Sequence, residues 1–170
     1  MALHEIVTLP DPILRRKAKP IREFGPDLQQ VIEDMIETMR QAPGVGLAAP
    51  QIGLSDRLIV VEYPIDDTQE DSPKKLYVIA NPELKKISEE TEIATEGCLS
   101  IPGMMGDVER ALAVTVAGRT RRGQPIKIKA EGWLARIFQH EIDHLDGVVY
   151  TDRASKVWRP APGEDVIDNV

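Results

Sequence analysis

Residues 132–147 read GWLARIFQHEIDHLDG. Trp133, Ile137, His140 and His144 follow one another at i, i+4, i+7 and i+11, so they form one stripe of a helix that is apolar on its first turns and chemical on its last two. Side chains four apart on a helix stack, and the two imidazoles therefore point to a common place with Glu141 beside them. The chain has only three histidines, and a shuffle of its residues would yield His-Glu-x-x-His at a rate on the order of a few in a thousand. A pattern that rare asks for a chemical reading. Two neutral imidazoles suit a metal ion, but a held ion needs at least a third protein ligand, and a catalytic one an open position for water.

Outward from that helix, residues 26–41 (PDLQQVIEDMIETMRQ) place Leu28, Val31, Ile32, Met35, Ile36 and Met39 on one helical face. The two methionines on that face read as core filler. DPILRRKA begins with Asp and Pro and predicts a short helical turn or two. Strand-like runs follow Pro43: RLIVVEY, KLYVIAN, ALAVTVAG and QPIKIKA. Between the first two, PIDDTQEDSPKK predicts an exposed acidic loop, and GRTRRG, with Arg119, Arg121 and Arg122, a solvated hairpin turn. WRPAPGEDVIDNV predicts a loosely packed or mobile tail from about residue 156 to 170.

Length and charge narrow the function. At 170 residues and 42% hydrophobic content, one domain with a real core is expected. A net charge of −7 argues against specific nucleic-acid binding, which needs clustered Lys and Arg. No apolar run reaches the roughly 18 residues of a membrane span, and MALHEIVTLPDP has no basic-then-apolar signal pattern, so a cytoplasmic protein is expected. One cysteine excludes an internal disulfide.

That cysteine is the candidate third ligand. His4 sits at an N-terminus expected to be mobile, whereas Cys98 lies in EGCLSIPG, after a small Gly97 and before a Pro-Gly turn. A thiolate there binds Zn(II) or Fe(II) strongly. A further stretch, PGVGLAAPQIG, is too glycine-rich for a helix and too small-chained for a core strand; its use is to let a backbone edge approach something extended.

GVGLAAPQ, EGCLS and QHEIDH, in this order and at these separations, resemble the three signature motifs of the peptide deformylase family, over about residues 3–155. LPDPILR and Asn81-Pro82 add lesser echoes. The resemblance implies a metal-dependent hydrolase that removes the formyl group from the N-terminal formylmethionine of newly made bacterial and organellar proteins, through attack of a metal-bound hydroxide. It implies Cys98, His140 and His144 as metal ligands and Glu141 as general base and acid, with Gln51 and the Leu99 N–H as oxyanion donors. Asp143, Glu96 and Arg110 would be supports, the last two as an ion pair bracing the cysteine loop. Gly44, Val45 and Gly46 would meet the substrate backbone, and Ile137 and Trp133, with Val45 and Leu99, its methionine side chain. The native ion would be Fe(II), with Zn(II), Ni(II) or Co(II) as other occupants, and the partners N-formylmethionyl nascent peptides. One departure is the short acidic end where some bacterial members carry a long basic helix, which puts in doubt any ribosome docking by such a helix.

The elements and the resemblance together predict an α+β fold. Small antiparallel or mixed β-sheets pack around a central helix carrying His-Glu-x-x-His, with an N-terminal amphipathic helix, all in a single catalytic domain over 1–170. Two rivals stand beside this reading. One is a zinc endopeptidase with Glu164 as third ligand; the other is a non-catalytic metal-binding module, disfavoured because closed structural sites use four protein ligands.

Overall fold

The computed structural model describes residues 2–162. A 3-10 turn at Pro12–Arg15, whose first N–H groups are capped by Asp11 accepting from the Ile13 N–H at 3.0 Å, leads to helix α1 (Pro26–Gln41). Seven strands follow: β1 (Gly46–Ala48), β2 (Leu58–Pro64), β3 (Lys74–Ile87), β4 (Thr91–Cys98), β5 (Ile101–Ala111), β6 (Ala113–Arg119) and β7 (Pro125–Glu131). Helix α2 (Gly132–Leu145), a short α3 (Tyr150–Arg153) and β8 (Lys156–Trp158) complete the described chain. β1-β2-β3-β6-β7 form one sheet and β4-β5-β8 a second, and the strand pairings in both are antiparallel. This is the α+β class expected.

The first sheet carries a helix on each face. β2 reads LIVV because both its faces are buried: Leu58 and Val60 pack with Ile32, Met35, Ile36 and Met39 of α1, while Ile59 and Val61 pack with Ile137, Phe138, Ile142 and Leu145 of α2. Met35 and Met39 are fully buried core, as their spacing predicts. α2 is thus central, held between this sheet and the second one, whose strand β5 it also meets: the Gln139 carboxamide accepts from the Ala111 N–H at 3.0 Å and donates to the Ala111 carbonyl at 2.9 Å.

Three features differ from the expectations. The β4–β5 hairpin is unannounced in the sequence, because its strands are half exposed and alternate Glu and Thr with small residues in place of a hydrophobic run. The tail does not loosen at residue 156: Val157 and Trp158 pair with Gly106 and Met105 of β5, since β8 gives that strand its second partner. Residues 163–170, including Glu164, lie outside the described residues. Arg121 is not simply solvated either; it bonds Gln29 at 2.8 Å and Glu33 at 2.7 Å and ties the β6–β7 turn to α1.

The histidine-bearing end of α2 is fixed against the first turn of the chain. The Leu145 carbonyl accepts from the Ala18 N–H at 2.8 Å and from Arg57 at 3.0 Å. Gly147 then reverses the chain at φ +77°, and a Cβ there would lie 2.5 Å from the Arg15 carbonyl oxygen. Gly147→Ala should therefore cost about 2 kcal/mol or more and lower the melting temperature by about 4–8 °C; an unchanged thermal transition would show that this turn has room to give.

Candidate metal centre and active site

β4 delivers Cys98 through a register shift after Glu96: Glu96 pairs with Gly106 and Cys98 with Ile101, so Gly97 alone stands opposite residues 102–105 of β5. α2 delivers the histidines from the opposite side. The ligand atoms of Cys98, His140 and His144 lie within 4.8 Å of one another, with the Cys98 Sγ 3.4 Å from the His144 Nε2. All three residues are buried. His4 is not part of this group: its ring bonds Asp34 of α1 at 3.1 Å.

The histidine ring nitrogens are assigned by their surroundings. The His140 Nδ1 bonds the Glu96 carboxylate at 2.9 Å, so its Nε2, buried and without a hydrogen-bond partner among the described residues, is the atom turned toward the cluster. Burial alone would lower the His140 pKa, but the nearby Cys98 sulfur, the Glu96 hydrogen bond and the Glu141 charge outweigh it and hold it at about 10. The pocket favours positive charge at its centre, and a divalent cation held by thiolate and imidazole meets that demand in place of a proton. Burial, joined by the His140 charge, keeps His144 well below its ordinary value and hence a neutral imidazole. One sulfur and two nitrogens suit a first-row ion such as Zn(II) or Fe(II), so the residues fit such a group.

Glu141 is fully buried, and neither carboxylate oxygen has a hydrogen-bond partner among the described residues. Burial, its largest cause, pushes its pKa up to about 7. It lies flat against β1: a Cβ on Gly46 would sit 2.6 Å from the Glu141 Oε2, so only glycine admits the carboxylate here. Gln51, also buried, occupies the turn after β1. Its Oε1 accepts from the Ala48 N–H at 3.0 Å, which turns its Nε2 toward the Ser100 Oγ at 3.2 Å and the Cys98 Sγ at 3.6 Å.

The remaining expected residues divide. Val45, Trp133 and Ile137 belong to one apolar cluster, whereas Leu99 packs with the α1-side cluster, its Cδ1 3.2 Å from where a Gly44 Cβ would be. Ile137 is fully buried and Trp133 only partly. Glu96 and Arg110 form a bidentate pair, both contacts at 2.9 Å, and Asp143 bonds Arg110 at 2.7 Å and Arg153 at 2.6 Å. The carboxylate on the His140 ring is therefore Glu96.

Sequence reasoning missed Arg136. It donates to Glu96 at 2.7 Å and to the Val108 and Glu92 carbonyls at 2.8 and 2.7 Å, and its guanidinium lies 5.6 Å from the Trp133 ring centre. The available signal was its place four residues before His140, on the stripe that also holds His144. Ser100 and Tyr150, buried beside Gln51 and stacked on the His140 ring respectively, were also missed.

Burial by itself would raise the Glu96 pKa; the His140 and Arg110 hydrogen bonds and charges reverse this and hold it far below the carboxylate range. In the unfolded chain it titrates near 4.5, so below that pH the unfolded state binds a proton the folded state does not. Stability accordingly falls with falling pH by up to about 1.4 kcal/mol per unit. Glu96→Gln should flatten this acid slope and cost about 3–5 kcal/mol at neutral pH, since buried Arg136 loses its carboxylate partner and Arg110 one of its two. Urea unfolding between pH 7 and 3.5 reads both effects, and an unchanged slope would assign the acid sensitivity to another carboxylate.

The family model described as polypeptide deformylase matches residues 3–159. The peptide deformylase of Desulforudis audaxviator is 46% identical over 159 residues, covering 94% of this chain and 98% of that one. The crystal structure of the Thermotoga maritima peptide deformylase superposes with a TM-score of 0.82 at 42% identity, covering 92% of this chain and 100% of that one. A class I type b peptide deformylase from Acinetobacter baumannii, solved with Met-Ala-Ser bound, gives 0.82 at 36% identity, covering 89% and 98%. A single family therefore accounts for the motifs, the α+β fold and the buried cysteine-histidine cluster, and the chain belongs to it: it is a member of the polypeptide deformylase family.

Proposed function

We propose that this chain is a metal-dependent deformylase that hydrolyses the formyl group from the N-terminal formylmethionine of newly made proteins. The observation that carries the assignment is the buried cluster of Cys98, His140 and His144, together with a Glu141 carboxylate that lies against the edge strand β1 and has no hydrogen-bond partner among the described residues. Cys98, His140 and His144 would hold the ion. That ion supplies Lewis acidity, which polarises oxygen and makes water acidic near neutral pH.

The chain's own residues do the rest. Glu141, buried and close to neutral in pKa, takes the proton of the attacking water as its oxygen bonds the formyl carbon. It then delivers that proton to the departing nitrogen as the C–N bond breaks, so the products are formate and a free α-amine. Charge that builds on the formyl oxygen meets the Gln51 Nε2 and the Leu99 N–H as donors. Glu96 orients His140 through its Nδ1, and Arg110 and Arg136 hold Glu96 in place.

β1 is an edge strand, and a peptide laid along Val45 and Gly46 would extend the sheet with main-chain hydrogen bonds. The first side chain would enter beside Val45, Ile137 and Trp133. The Met-Ala-Ser bound to the Acinetobacter baumannii relative supports a substrate that begins with methionine. We infer Fe(II) as the native ion, with Zn(II), Ni(II) and Co(II) as other occupants; the family resemblance and the thiolate-imidazole donor set support it. We place its action in the cytoplasm, in keeping with the acidic composition and the lack of any described helix long and apolar enough to cross a membrane.

Protein purified anaerobically, with its metal quantified, should release formate from a short N-formyl-Met peptide and leave the unformylated peptide intact. Glu141→Ala should abolish release while retaining the metal. Peptide-bond cleavage without formate would replace this assignment with an endopeptidase, and bound metal with neither activity would replace it with a binding module. Gly46→Ala should push the Glu141 carboxylate aside and lower kcat by about 10²-fold, the scale of a 1 Å misplacement; full activity would show that Glu141 works from a displaced position.

A further inference from the structure

The first residues of the chain make contacts that neither the fold nor the proposed chemistry explains. At one end the segment is pinned to α1: the Ala2 N–H donates to the Asp34 Oδ1 at 2.7 Å, the His4 ring bonds the Asp34 Oδ2 at 3.1 Å, and the His4 N–H donates to the Thr38 Oγ1 at 3.1 Å. Asp34 and Thr38 are buried, and Ile6 packs into the apolar cluster beneath. At the other end the segment crosses two loops that are distant in sequence. The Val7 N–H donates to the Gln51 carbonyl at 2.7 Å, and two residues later the Leu9 N–H donates to the Ser100 carbonyl at 3.0 Å.

Those two carbonyls belong to the turns that carry the proposed oxyanion donors, the Gln51 carboxamide and the Leu99 N–H. Among the described residues the two turns are hydrogen-bonded to each other through the Gln51 side chain, its Nε2 meeting the Ser100 Oγ at 3.2 Å and the Cys98 Sγ at 3.6 Å. A side-chain amide on its own leaves the backbones on either side free to drift, whereas two backbone bonds from one short segment fix both turns to a common support.

We propose that residues 2–9 form a positioning strap, anchored on α1 through Asp34 and Thr38, whose Val7 and Leu9 N–H groups set the spacing between Gln51 and the Leu99–Ser100 turn. This inference rests on the reading of Gln51 and Leu99 as oxyanion donors. It makes Val7, Leu9 and Asp34 positioning residues: none need touch the substrate, and each acts through the donors.

The test uses Val7→Pro, which removes one strap N–H, and Asp34→Ala, which releases the anchor, each made in the parent chain and in Gln51→Ala. The kcat and KM for an N-formyl-Met peptide are measured, together with bound metal and its rate of release to a chelator. The strap should lower kcat about tenfold when broken, part of the roughly 10²- to 10³-fold that losing a whole donor costs. KM should change by less than about twofold, metal content and release should be unchanged, and in the Gln51→Ala background the same substitutions should lower kcat by a clearly smaller factor than in the parent, since only the Leu99 donor is then left to position. Equal losses in both backgrounds, an unchanged kcat, or loss of metal along with kcat would overturn the strap. Full kcat in Gln51→Ala alone would instead overturn the donor assignment, a result that involves no strap residue. If Val7→Pro does not fold, Asp34→Ala carries the same comparison.

Discussion

The carboxylate of Glu96 is the contact on which the rest of the site is hung. It has no exposure to solvent, and it meets Arg110 through two bonds, Arg136 through one and the His140 ring through another. These partners come from β5 and from two successive turns of α2, so one anion joins the second sheet to the central helix. Taking such charges out of water costs several kcal/mol per ion, and an apolar replacement of the whole group would be about as stable. What an apolar replacement lacks is direction. A guanidinium fork and an imidazole N–H accept only a narrow range of angles, and the network therefore fixes where the His140 ring points, not merely that the helix docks.

The architecture supplies rigidity on the same principle. Helix α2 is gripped by a five-stranded sheet on one side and by β5 on another, with Gln139 pairing both backbone groups of Ala111. Each group proposed to act sits on a packed element or in a turn whose backbone is bonded elsewhere. Close approach does the remaining work: Gly46 lets a carboxylate lie against a strand where any side chain would exclude it.

The parts of this molecule that were legible in sequence are those with strong periodicity. α1 and the α2 stripe, and the apolar runs of β2, β3, β6 and β7, are visible because each buries a continuous face. The β4–β5 hairpin was not, because a strand such as TEIATEGC, half in solvent, offers charge and small residues in place of an apolar pattern. The cysteine and histidines stood out through scarcity; the reading of Gln51 and Leu99 as donors rests on family resemblance alone. Arg136 was passed over because an arginine on a helix reads as solvated, and only the long-range approach of β4 reveals that its surroundings are carboxylate and carbonyl. The contacts of His4 and of β8 are likewise tertiary, invisible to local pattern.

The separation of Cys98 from the histidines along the chain has a consequence for assembly. Cys98 and His144 stand 46 positions apart, and their contact joins the second sheet to α2. A partly folded chain therefore offers an ion just two imidazoles on one helical turn, a weak half-site. Tight capture waits for the last long-range contacts, whose closure is the slow part of folding a sheet-rich topology. Binding energy then accrues to the completed fold and not to its precursors. An ion held by all three groups would thus act as a latch that closes once the chain has reached its final arrangement.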